Sequence, residues 1–186
     1  AMADKTRQWD YELGKAYMQS LPGDSRDALA LAYRSLPSVA DDTRRYAQAV
    51  LEGRQVAPYR TLGLLSGEDA RHVERAAGVP VAGFDYTLDR FSVKHVQGTH
   101  GADTETRATQ RGVTAADYAM LPRLLNDGAS PQPAGRARKT GNPLIKRRLT
   151  VDGEAFEAVF EVRKGRKMLA LETFYILTLK EGERDE

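Results

Sequence analysis

From Leu144 to Thr178 the chain alternates apolar and polar residues with a period of two. This limits the possible folds more than any other feature of the sequence. The runs Leu144–Val151, Ala155–Val162 and Met168–Thr178 read as three strands, the last rich in β-formers (Thr173, Phe174, Tyr175, Ile176). Asp152-Gly153 joins the first two as a hairpin turn, and Lys164-Gly165 marks the next turn. Connections this short reverse the chain direction, so an antiparallel meander is expected.

Upstream the period is 3.6. Residues 5–78 read as helical: Trp9, Leu13, Tyr17 and Met18 fall on one stripe, and Pro22-Gly23 ends it. Asp24 or Ser25 can cap a second helix, and Ser38 opens a third with Asp41 and Asp42 near its start. Ser66 can cap a fourth. The period changes after Gly78-Val79-Pro80, so the expected division is a helical module over 1–79 and a second domain over 80–186. Within that domain Val81–Leu88 is a candidate strand, and Asp89 can cap a short helix that stops at Gly98. Thr114 and Asp117 form a capping box, and Ala129–Pro143, rich in Pro, Gly and basic residues, reads as a loop. The fold class is therefore α+β, with helices packed on an antiparallel meander.

Composition excludes some functions. No apolar run approaches the roughly 18 residues a membrane helix needs, and with no cysteine there is no thiolate nucleophile, thiolate metal site or disulfide. Neither a G-x-S-x-G elbow nor a G-x-G-x-x-G or Walker loop is present. Net charge is only +2, but charge is unevenly distributed. Basic and acidic residues balance through Pro80, the tail Glu181–Glu186 is acidic, and Gln132–Thr150 holds six basic residues and no acidic one. That block is either a phosphate-binding footprint or a solvated basic loop. Ala1-Met2-Ala3 is set aside as an addition for expression, and the helical part is expected to be a piece of a longer polypeptide.

Histidine is the side chain best suited to proton transfer near neutral pH, and His95 and His100 are two of only three in the chain. On a continuous helix they would stand about 140° apart, so they can converge only if the chain turns at Gly98. His72, the third, reads as a surface or boundary residue. Lys146 and Arg148 share one strand face and Arg147 takes the other. His95, His100, Asp103 and Glu105 could be imagined as a zinc set, but their spacing matches no metal signature.

The order of elements then carries a resemblance. A strand is followed by a short helix with His and His-Gly, a loop with Arg, the run G-V-T-x-x-D-Y-x-x-L-P-x-L-L over 112–125, and a meander ending L-x-T-F-Y at 171–175. Over about Val81–Leu179 this resembles the phage-borne members of the barnase–EndoU–colicin–RelE nuclease superfamily, found at the C-terminus of phage head-morphogenesis proteins of the Mu F type. The resemblance implies a metal-independent endoribonuclease, without cofactor, that makes a 2′,3′-cyclic phosphate. His95 and His100 would be the acid/base pair, with Lys146 and Thr173 also catalytic and Arg111, Arg148 and Tyr175 binding substrate. It further implies RNA as substrate, an immunity protein or a phage packaging or portal partner, and a place in the host cytoplasm or the virion. The chain departs from the family where barnase relies on a glutamate and EndoU spaces its histidines more widely. The competing expectation is a nucleic-acid-binding or virion-assembly module that keeps the fold without the activity.

Overall fold

The computed structural model describes residues 19–180 together with Leu13 and Ala16. Trp9, Tyr17, Met18 and the acidic tail, all singled out above, lie outside the described residues. The meander is present. Strands β5 (Pro143–Val151) and β6 (Glu154–Arg163) pair antiparallel without interruption from Leu144↔Glu161 to Val151↔Glu154. Asp152 and Gly153 have φ of 51° and 76°, the two left-handed central residues that a tight hairpin turn requires. Strand β7 (Met168–Thr178) continues the meander on the other edge of β6.

Four shorter strands complete the sheet: β1 (Tyr59–Leu64), β2 (Asp85–Asp89), β3 (Gln110–Arg111) and β4 (Gln132–Arg136). Their order is β1-β2-β7-β6-β5-β4. Strand β2 runs parallel to one end of β7, and β3 pairs antiparallel with its other end. Five α-helices accompany this mostly antiparallel sheet among the described residues, so the fold is mixed α+β. They are α1 (Gly23–Ser35), α2 (Pro37–Leu51), α3 (Gly67–Ala77), α4 (Arg90–His100) and α5 (Leu121–Asp127).

Local chemistry sets most helix boundaries. Ser66 Oγ accepts from Asp69 N at 3.1 Å and starts α3, which ends on the left-handed Gly78. Asp89 and Ser92 cap α4 reciprocally, the Asp89 carboxylate accepting from Ser92 N at 2.8 Å. The Thr114–Asp117 box forms too, but it opens a 3-10 turn, Ala115–Met120, that becomes α5 at Leu121-Pro122. Neither Asp24 nor Ser25 is the cap of α1: Pro22 precedes a helix that begins at Gly23 with no side-chain cap.

Three expectations are corrected. Residues 59–64 form a strand within the stretch that reads as helical. Residues 132–136, which read as loop, form edge strand β4, where Pro133 is tolerated beside a register shift. The break after Val79 is no structural boundary either. Strand β1 pairs with β2 across it, and one core cluster joins Tyr46, Ala47, Val50, Leu62 and Val73 to Tyr86, Phe160 and Phe174. A buried ion pair ties the same halves. Asp69 on α3 accepts from Arg147 Nη1 on β5 at 2.9 Å and from the Tyr86 hydroxyl on β2 at 2.5 Å. Arg147, one of the six cations of the basic block, is thus a core residue.

Candidate active site

The sheet has an apolar face carrying Ile145, Leu149, Phe156, Ala158, Phe160 and Phe174, all in the core. Alternation puts different chemistry on the other face. Register aligns Arg148, Glu157 and Tyr175 in one row across β5, β6 and β7, and Lys146, Val159 and Thr173 in the next. Beyond Thr173 the ladder shifts: Phe160 pairs with Leu171, and Glu172 is the extra residue of a bulge on β7.

Glu157 is the centre of the first row. Its side chain is 5% exposed; Arg148 Nη1 donates to Oε1 at 3.1 Å, and Lys146 Nζ stands 3.9 Å from Oε2. Burial first, then the neighbouring Glu157 carboxylate, push the Tyr175 phenol well above its usual range. A carboxylate has acceptor capacity for further donors beyond the Arg148 hydrogen bond. In the second row, Thr173 Oγ1 is shielded from solvent and makes no hydrogen bond among the described residues.

His100 closes the row from the side. It is the last residue of α4, and its ring centroid lies 5.4 Å from that of Tyr175 at an interplanar angle of 38°. Its Nδ1 is 2.7 Å from Glu105 Oε2. A carboxylate only accepts, so Nδ1 carries the hydrogen and Nε2 is left for proton exchange. Glu105 is itself almost fully enclosed, and Arg107 Nη1 stands 3.3 Å from its Oε1. Burial works against its charge, but hydrogen bonds from His100 and Arg107 hold its carboxyl below the usual range. The loop carrying Glu105 is pinned to the helix end, with Thr104 Oγ1 donating to Gln97 O at 2.6 Å and accepting from Gly101 N at 2.9 Å. Only glycine fits at Gly101, where a Cβ would sit 2.5 Å from the Gln97 carbonyl oxygen.

The predicted set therefore divides. His100, Lys146, Arg148, Thr173 and Tyr175 are brought together on one face. His95 is not among them, because the expected turn at Gly98 does not occur: α4 runs through it to His100. The two rings keep the roughly 140° separation of a continuous helix. His95 is exposed and lines a neighbouring groove, while His100 is buried. Arg111 is also elsewhere. It is clamped by Asp117 at 2.8 Å and by Glu154, its guanidinium lies 5.9 Å from the centroid of the core residue Phe156, and the two carboxylates hold it firmly protonated. These contacts make it a structural clamp on β3, away from the other predicted residues.

Sequence reasoning misses two acids of this site. Glu105 carries a signal only as part of the zinc set; among the described residues no three His, Asp or Glu side chains group closely enough to hold a metal. Glu157 is legible in principle. Counting outward from Asp152-Gly153, the fourth residue back is Arg148 and the fourth forward is Glu157, so the hairpin turn alone pairs them. In comparisons with protein-family models, curated proteins and solved structures, none matches the chain.

Proposed function

We propose that the protein is a metal-independent endoribonuclease in which Glu157 and His100, rather than two histidines, move the protons. The observation that supports this reading is the row Arg148–Glu157–Tyr175 ending against the His100–Glu105 pair. Glu157 takes the proton of a ribose 2′-OH, and that oxygen forms a bond to the adjacent phosphorus. The bond from phosphorus to the 5′-oxygen breaks, and protonated His100 delivers the Nε2 proton to the departing oxygen. Glu105 orients the ring, as a carboxylate behind an imidazole does elsewhere. Lys146 and Arg148 stand beside the phosphoryl oxygens and offset the charge that grows on them, and the Thr173 hydroxyl, shielded and without a hydrogen bond among the described residues in the free protein, turns to donate to one of them when substrate binds. The products are a 2′,3′-cyclic phosphate and a 5′-hydroxyl; DNA has no 2′-OH and is not cut.

The test is incubation of the whole chain with RNA in EDTA, with product ends identified by mass. Cleavage to cyclic phosphates is expected, falling roughly 100- to 10,000-fold in His100→Gln and in Glu157→Gln. RNA that is bound but left intact would overturn the proposal in favour of a binding or virion-assembly module. Loss of cleavage in EDTA that returns with a divalent ion would overturn its metal independence.

A further inference from the structure

A groove of about 1430 Å³ lies beyond the candidate site, walled by the β4–β5 connection, by the turn Lys164–Arg166 and by the start of α4. Seven of its lining residues are Arg or Lys and three are Asp or Glu. Two of those acids are already engaged by a single cation: Arg163 stands 3.0 Å from Glu161 and 3.8 Å from Asp89. The other six cations of the lining face one further acid, Glu172, and Arg138, Lys139 and Lys164 are three of them. Arg138, Lys139 and Lys164 are exposed and form no ion pair among the described residues. Beside them is Phe91, 70% exposed, with the Arg90 guanidinium 5.3 Å from its ring centroid.

The groove is continuous with the candidate site. Its lining includes Leu144 and Glu161, which pair with each other and sit one step beyond Lys146 and Val159 on the same sheet face, about 7 Å away. A row of unpaired cations recognises phosphates, and an exposed aromatic ring among them is a platform on which an unpaired base can stack. We infer that this groove holds an unpaired stretch of the RNA flanking the cleaved bond, with Arg138, Lys139 and Lys164 on its phosphates and Phe91 stacked on a base. The enzyme would then require single-stranded substrate on that side. This inference rests on the ribonuclease reading for the direction of the strand, but the binding it predicts can be measured without cleavage.

The experiment uses the full chain and a fluorescein-labelled 2′-O-methyl oligonucleotide, which lacks the attacking hydroxyl, read by anisotropy over a salt series. Single strands are expected to bind more tightly than the matching duplex. Phe91→Ala should weaken single-strand binding roughly 5- to 100-fold with little effect on the duplex. Arg138→Ala combined with Lys139→Ala should flatten the dependence of log affinity on log salt by about 1.4, at about 0.7 for each phosphate no longer neutralised. Wild-type affinity in both variants, equal binding of duplex and single strand, or no binding by the parent protein would each overturn the inference. Parallel incubation with unmodified RNA separates it from the proposed chemistry. RNA left uncut by the parent protein, with these binding effects intact, defeats the nuclease reading alone, whereas RNA cut equally well by the parent and both groove variants defeats the groove alone.

Discussion

At the scale of single residues, Thr173 gives the sharpest test of the site. Its Oγ1 is shielded from solvent and has no partner among the described residues, so a buried donor is left unsatisfied there. Thr173→Val keeps the shape and removes that group. Stability in urea should stay level or rise, while the cleavage rate falls about tenfold or more if the hydroxyl serves the phosphate. A rate equal to the parent's would remove Thr173 from the mechanism. Arg147 behaves in the opposite way. Breaking its buried pair with Asp69 by Arg147→Met leaves a carboxylate without its cation, and should cost about 3–5 kcal/mol in denaturant unfolding. A third residue-scale prediction concerns acid. The folded protein holds Glu105 below the ordinary glutamate value of 4.5, so the stabilisation it contributes is fully present above that value. It is lost as pH falls through the lower folded value, and amide exchange in the Gly101–Gln110 loop should rise there before global unfolding. An unchanged loop across that range would contradict it.

At the scale of elements, α4 shows how a local signal misleads. Gly98 suggests a stop, because glycine is the commonest residue just past a helix end. Here the helix continues because His100 is held by Glu105 and packed on Tyr175, and the Val113 N–H donates to the His100 carbonyl at 2.7 Å. These tertiary contacts outweigh a weak propensity, and no spacing rule reveals them. Gly98 is thus an ordinary helical position with open space where a Cβ would go. Gly98→Ala should raise stability by about 0.5–1 kcal/mol in thermal or urea unfolding. A loss of stability would mean the turn is needed after all. The β5–β6 hairpin is the contrasting element. Asp152-Gly153 fixes turn and register together, so the alignment of Arg148 with Glu157 follows from the residues of the turn alone. Strand β4 is hidden because Pro133 and Gly135 argue against a strand, and only its place at the sheet edge makes them acceptable.

At the scale of the molecule, the change of period near residue 80 reads as a domain boundary, yet it marks only a change of element type. Periodicity reports which face is buried and not which partner buries it. Among the described residues, those before Val81 supply an edge strand, the helices α1, α2 and α3 and part of one core. A fragment beginning at Pro80 should therefore fail to fold, with broad amide proton spectra and no cooperative urea transition. A sharp transition in that fragment would restore the two-domain division. No helix among the described residues is long and apolar enough to cross a membrane, in line with the composition.

The parallel pairing of β2 with β7 has a consequence for how the protein is made. These neighbours are separated by some eighty residues of sequence, and β7 is the last strand described. Until it arrives, β2, paired with β1, has an open edge on one side and β6 an open edge on the other. Contacts of such long sequence separation form late and slowly. Thr173 and Tyr175 ride on that strand, and Tyr175 is the surface on which His100 rests. A ribosome-bound chain would thus carry its imidazole, its carboxylate and its cations without an assembled site until β7 has emerged. If the chain cuts RNA as proposed, the order of strand addition itself would hold activity back while the rest of this sheet is being made.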